Sequence, residues 1–226
     1  MDDRKQQILQ LVVENYTQTA EPVGSKFLVE NCDLGVSGAT ARNEMRDLEQ
    51  LGFLTHPHTS SGRMPTEAGY QYYIENIMKP EALNKKIKDE LETSVSKVED
   101  KQQKLKVLGK QVAEKVQNAV IVAFGESSLY YTGISNLFSQ PEFRDYAYTV
   151  SVSTIFDQVE ERIENIFELF NDEKPLVLIG EKNPFGNMCG LVGGRLNGDS
   201  LFAILGPLRM DYALNYSFVD YLQEIL

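Results

Sequence analysis

Apolar positions in the first eighty residues recur at helical spacing. Ile8, Leu9, Val12, Val13 and Tyr16 form one stripe in RKQQILQLVVENYTQTA and predict a first helix. Pro22 interrupts the pattern within EPVGS, since proline is incompatible with a helix interior. Ser25 is then placed to cap a short second helix through Phe27, Leu28 and Val29. After a turn over residues 31–35, Ser37 offers the N-cap of a third helix, and Gly52 marks its end just after Leu51. Phe53 and Leu54 lead into the Pro/Ser/Gly loop of THPHTSSGRMP, which predicts a strand, a tip and a return strand. Thr66 caps a fourth helix with an inward stripe of Tyr70, Tyr73, Ile74 and Ile77. Helices and hairpin in this order predict a winged helix-turn-helix over residues 1–79.

From Pro80 the text becomes rich in Lys, Glu and Gln. Ile87, Leu91, Val95, Val98, Leu105, Leu108, Val112 and Val116 fall mostly three or four apart and predict one long amphipathic helix over residues 80–118. That linker either pairs with its own copy, as a dimer element, or lies on the next domain. Residues 119–226 alternate strand and helix signals. NAVIVAFG predicts a buried strand, and residues 144–153, RDYAYTVSVS, are β-branched enough to suggest another unless they run into the helix that follows. IFDQVEERIENIFELF carries the helical stripe Ile155, Val159, Ile163, Ile166, Phe167 and Phe170. PLVLIG is a strand, GLVGGRLNGDSLFAILG two strands about an Asn197-Gly198 turn, and DYALNYSFVDYLQEIL a closing helix. SLYYTGISNLFSQPEF has no local assignment. The whole predicts an α+β protein whose C-terminal domain holds an antiparallel sheet.

Charge first argues against a nucleic-acid partner, because the 226 residues carry a net charge of −11. Divided along the chain, residues 1–79 hold 7 Lys and Arg against 11 Asp and Glu, and residues 119–226 hold 6 against 15. Most of the acidity therefore lies at the C-terminal end, and DNA binding rests on the local distribution of charge in the first domain. No apolar run approaches the roughly 20 residues needed to span a bilayer, and the polar opening MDDRKQQ predicts a cytoplasmic protein with no membrane partner. Cys32 and Cys189 are far apart and read as ordinary thiols.

On a helical wheel, Ala41, Met45 and Leu48 of VSGATARNEMRDLEQLGFL share the core face, while Ala39, Arg42, Asn43, Arg46 and Gln50 look outward. Thr40, Arg42, Asn43, Arg46 and Gln50 are the candidate base-reading residues: Arg matches guanine and Asn matches adenine through paired hydrogen bonds in the major groove. The alternative is that Arg42 and Arg46 pair with Glu49 or Glu44 on a solvated helix. Asp47 approaches the outward face, where it either orients Arg42 or Arg46 or rejects wrong bases. Candidate phosphate and wing contacts are Ser25, Lys26 and Ser37 at helix starts, and His56, His58, Thr59, Ser60, Ser61 and Arg63 on the hairpin loop. Two histidines on a loop do not complete a zinc sphere, so neither metal nor cofactor is expected.

EPVGSKFL, DLGVSGATARNEMRDLEQLGFL and PHTSSGRMPTEAGYQYYI resemble the N-terminal signature of the HrcA family of heat-inducible transcription repressors. SNLFSQPEF, IGEKNP, GPLRMDYA and VDYL resemble its C-terminal part. The resemblance implies a homodimer that represses heat-shock (chaperone) operons from an inverted-repeat operator in double-stranded DNA, with the chaperonin GroEL as a further partner. It also implies a GAF-like C-terminal domain with an inserted dimerisation subdomain. One departure is large: NAVIVAFGESSLYYTGISNLFSQPEF joins the first strand almost directly to the SNL motif, where the family has a long stretch. Much of the GAF-like sheet and the insertion are therefore expected to be missing.

Rival functions find less in the sequence. With both histidines on the wing, a Ser-His-Asp or Cys-His arrangement in the C-terminal domain is excluded, and neither G-x-G-x-x-G nor G-x-x-x-x-G-K-[ST] occurs, so no enzyme is expected. The alternative is a one-component winged-helix regulator whose C-terminal domain binds a small effector, with Tyr130, Tyr131, Phe138 and Phe143 lining a pocket or else filling a core. A winged helix that binds protein is a third reading.

Overall fold

In the computed structural model, which describes residues 1–32, 34–58, 61–125, 128–170, 174–197 and 199–226 and leaves aside the side chains of 162–165, the chain divides into two units, Met1–Lys79 and Pro80–Leu226. In the first, α1 (Asp3–Thr19) starts where the Asp2 carboxylate accepts the Lys5 amide at 2.8 Å, and it buries Ile8, Leu9, Val12 and Val13. The next helix, α2 (Ser25–Asn31), is capped differently from the sequence expectation. Gly24 takes the extended N-cap conformation and Ser25 is already the first helical residue, so its hydroxyl makes no capping bond. The third helix, α3 (Gly38–Gln50), begins at Ser37, whose side chain accepts the Thr40 amide at 3.1 Å, and gives way at Leu51 to Gly52 with φ +82°.

The hairpin is short. Strand β1 (Leu54–Thr55) pairs antiparallel with β2 (Met64–Pro65), and Val23 and Arg63 exchange both amide hydrogen bonds at 2.8 Å, tying the α1–α2 connection to the return strand. Helix α4 (Glu67–Asn76) is capped by Thr66, which accepts the Gly69 amide at 3.1 Å and donates to the Gly52 carbonyl at 2.6 Å. Two glycines let backbones meet here. A Cβ at Gly62 would lie 2.5 Å from the Pro22 carbonyl oxygen, and one at Gly69 only 2.1 Å from that of Phe53. Leu28, Ala41, Met45, Leu48, Leu54, Tyr70 and Tyr73 complete the core.

The second unit opens with two helices in place of the single long one expected: α5 (Lys85–Val95) and α6 (Lys101–Val116). The chain breaks between them because the α5 seam ends at Val95 and Asp100 starts a new helix by accepting the Gln103 amide at 2.7 Å. The α6 stripe, Leu105, Leu108, Val112 and Ala113, is buried within this unit along β3 (Ala119–Phe124), so that stripe is not free to pair with a second copy.

A five-stranded antiparallel sheet follows in the order β4-β3-β7-β6-β5, formed with β4 (Leu129–Thr132), β5 (Leu176–Leu178), β6 (Cys189–Leu196) and β7 (Ser200–Pro207). Despite the shortened sequence the sheet is substantial, because LYYT supplies an edge strand directly after β3. Asn197 turns the β6–β7 hairpin with φ +53°, and its expected partner Gly198 lies outside the described residues. Side chains alternate between two cores. Ala119, Ile121, Ala123, Leu201, Ala203 and Leu205 face Val152, Ile155, Val159 and Ile166 of α8 (Tyr146–Leu169). On the opposite face, Val120, Val122 and Phe202 close over Gly109 of α6, and Val219 of α9 (Tyr212–Ile225) packs over Gly194.

The strand suggested over residues 144–153 is instead the start of α8. Asp145 caps it by accepting the Tyr148 amide at 3.0 Å, and the inward turn of Val152 and Ile155 outweighs the β-branched composition. The side chain of Ile163, placed in that stripe from sequence, lies outside the described residues. The unassigned passage after β4 folds as α7 (Ile134–Phe138) and a 3-10 turn, pinned to α6 by Asn136 donating to the Ala113 carbonyl at 3.0 Å.

Candidate nucleic-acid interface

Helix α3 sorts its side chains by charge. Arg42, Asn43, Arg46 and Gln50 are exposed, with Thr40 half-buried at the N-terminal end, where its hydroxyl lies 2.9 Å from that of Ser37. Among the described residues, neither Arg42 nor Arg46 makes a hydrogen bond or ion pair. The three acids of the same helix are all engaged from elsewhere. Lys5 of α1 lies 2.7 Å from Glu44 and 3.5 Å from Asp47. Glu49 receives Arg63 through Nε and a terminal nitrogen, both at 2.9 Å, and also meets His56 Nδ1.

This arrangement revises the expectations about the acids. Glu44 and Glu49 do not pair with Arg42 or Arg46, and Asp47 faces Lys5 in place of the arginines. Arg63 and His56, both among the expected wing contacts, also clamp the hairpin to the end of α3, because a carboxylate at Glu49 offers them a partner within their own fold. Ser61 closes the tip by donating to the His58 carbonyl at 2.5 Å while accepting the His58 amide at 3.1 Å, which leaves the His58 ring exposed. Thr59 and Ser60 lie outside the described residues. Ser25, Lys26, Arg42, Ser61 and Arg63 line one cleft of about 470 Å³, so the start of α2, the outward face of α3 and the hairpin share a concave surface. Lys26 is 84% exposed, with a loose ion pair to Glu30 at 3.7 Å. The Ser37 hydroxyl, occupied by Thr40, acts first as a helix cap.

Sequence reasoning missed Lys5 and the role of Glu49 as a hub. Both interactions cross between elements, and no spacing rule within one helix reports them.

In the second unit the motifs QPE, LRM and IGEKNP make structural contacts. Arg209, buried, is held by Glu142 at 2.5 and 3.2 Å and by Gln140 at 2.8 Å, joining QPE to LRM. Asn183 of IGEKNP donates to the Cys189 carbonyl at 2.6 Å and accepts the Phe185 amide at 3.0 Å. Burial pushes the Cys189 thiol up to about 12. Phe138 and Phe143 meet edge-on at 5.0 Å, with Phe143 in the core and Phe138 packed against it, while Tyr131 is 42% exposed and lies 5.9 Å from the Phe156 ring. No helix among the described residues is long and apolar enough to cross a membrane.

A family model described as the HrcA protein C terminal domain matches residues 70–214. The heat-inducible transcription repressor HrcA of Desulfitobacterium hafniense is 46% identical over 97 residues, 43% of this chain and 28% of that protein. Its counterpart in Acetivibrio thermocellus is 44% identical over 102 residues, 43% of this chain and 29% of that one. That of Desulforudis audaxviator is 53% identical over 81 residues, covering 36% and 24%. The aligned part thus spans less than a third of each relative. A crystal structure described only as that of a hypothetical protein shares the fold, with a TM-score of 0.73 and 17% identity over 99% of this chain and 97% of the other.

Proposed function

The chain belongs to the HrcA family, and we propose from that premise that it is a sequence-specific DNA-binding repressor of heat-shock operons. In this reading residues 1–79 are a winged helix-turn-helix, α3 enters the major groove, and Arg42, Asn43, Arg46 and Gln50 read base edges with Thr40 at the helix start. Lys26, Ser25, His58 and Ser61 flank it as phosphate contacts. The chain binds an inverted repeat as a homodimer, each copy reading one half-site, and the second unit, a reduced GAF-like domain, carries regulation and self-association. GroEL is a further partner that the family resemblance implies.

One observation carries the proposal: α3 keeps its two arginines exposed and unpartnered among the described residues while each of its three acids meets a cation from another element. Unlike the net charge, that pattern favours approach to a phosphate backbone. A gel shift tests it, using an inverted-repeat duplex recovered from random-sequence DNA by selection with the full chain. Specific retention is expected, and the same affinity after Arg42→Ala and Arg46→Ala would remove α3 as the reading element.

A further inference from the structure

Two of the three acids on α3 share one counter-ion. Lys5 reaches Glu44 at 2.7 Å and Asp47 at 3.5 Å, and Asp2 holds it from its own helix end at 3.2 Å. The lysine and Glu44 side chains are 19% and 17% exposed, so their contact lies below the surface, whereas Asp47 at 45% stands closer to anything laid on α3. Glu44 first, and Asp2 next, hold the ammonium well above the ordinary lysine range, which keeps it a cation wherever the protein is folded.

Resting on the DNA-binding reading above, we propose that Lys5 is a positioning residue for recognition: without touching DNA, it sets affinity by neutralising Glu44 and Asp47 behind the outward face of α3. Like charges facing a phosphate backbone repel it, and a carboxylate stripped of its cation does so across the roughly 8–10 Å over which salt leaves charges visible to each other. Two such carboxylates stand on the same helix as Arg42 and Arg46, so losing Lys5 weakens the attraction of both arginines while leaving their side chains in place. Arg63 serves Glu49 in the same way. It is a less direct test, because its backbone also holds the bridge to Val23.

The experiment measures fluorescence anisotropy of the full chain on the duplex recovered by selection. Lys5→Met is expected to bind about tenfold more weakly at roughly 0.1 M salt. Adding Glu44→Gln and Asp47→Asn to Lys5→Met is expected to bring affinity back to within about threefold of the parent, since the charges that Lys5 masked are then gone. If Lys5 itself contacted a phosphate, the triple variant would stay weak and the slope of log affinity against log salt would fall by about 0.9, which overturns the proposal. Unchanged binding by Lys5→Met overturns it as well. Should circular dichroism show Lys5→Met unfolded, Glu44→Gln with Asp47→Asn decides with Lys5 retained: the freed cation tightens binding several-fold, and equal or weaker binding contradicts the idea. A parent chain that selects no duplex removes the DNA-binding reading and this proposal together, whereas a binding parent with an unaffected Lys5→Met removes this proposal alone.

Discussion

Arg42 and Arg46 stand exposed on α3 while Glu44, Asp47 and Glu49 are held by Lys5, Arg63 and His56. Two arginines and one helix of the second unit show the reverse. Arg209 is buried against Glu142 and Gln140, and Arg195 donates to the Phe167 carbonyl at 2.6 Å, while Asp157, Glu160 and Glu161 of α8 stand exposed. Helix α3 has its acids tied down and its arginines outward; Arg209 and Arg195 are tied down while α8 leaves acids outward. The difference teaches that a net charge of −11 describes the chain without describing its surfaces, and that the sign of a surface follows from which charges find partners inside the fold.

The comparison breaks first at Arg209. Arg209→Met leaves Glu142 without its partner in a largely buried site and is expected to cost about 3–5 kcal/mol by denaturant unfolding. Replacing Glu142 by Met as well should recover much of that, and no recovery would mean that the pair is not what holds this region. Gly69→Val comes next: its side chain meets the Phe53 carbonyl, and a loss of about 3 kcal/mol is expected, read as a lowered unfolding midpoint together with lost DNA binding. Arg42→Ala or Arg46→Ala should do the reverse of Arg209→Met, changing unfolding by no more than about 0.5 kcal/mol while weakening binding to the selected duplex by about 1–3 kcal/mol. A large unfolding effect there would show these arginines to be structural after all.

Smaller effects sharpen the picture further. Ser37→Ala removes the α3 cap and should cost about 1 kcal/mol of stability, as followed by thermal melting. Cys189, its thiol raised to about 12 by burial, should resist a thiol reagent near pH 8 until the protein unfolds, whereas half-buried Cys32 reacts sooner. Because the folded thiol ionises later than the unfolded one, its contribution to stability is complete below the ordinary thiol range and is lost as pH rises towards 12.

What could be read in advance divides along the same line between local and non-local physics. The stripe Ile8, Leu9, Val12 and Val13, the caps at Ser37 and Thr66 and the end of α3 at Gly52 are properties of a few consecutive residues, and the structure has them where the sequence placed them. Ser25 failed as a cap because Gly24 could take the extended conformation one residue earlier. RDYAYTVSVS, read alone, is open between a strand and the start of the next helix, and it is the helix because Val152 and Ile155 fold at helical spacing onto a sheet formed far away in sequence. The outward side chains of α3 were legible from a wheel, since exposure follows from periodicity. The partners of its acids were not: Lys5 is thirty-nine positions before Glu44, and Arg63 fourteen after Glu49.

The measurement closest to the central claim is a ratio: affinity for the selected duplex over affinity for a scrambled duplex of equal length, for the parent chain and for Arg46→Ala at one fixed salt concentration. If α3 reads bases through its exposed side chains, Arg46→Ala loses affinity on the selected duplex by about tenfold or more and far less on the scrambled one, so the ratio falls while the unfolding midpoint stays. A ratio left intact by Arg46→Ala, with the protein folded, would contradict the claim that the outward face of α3 is where this chain recognises DNA.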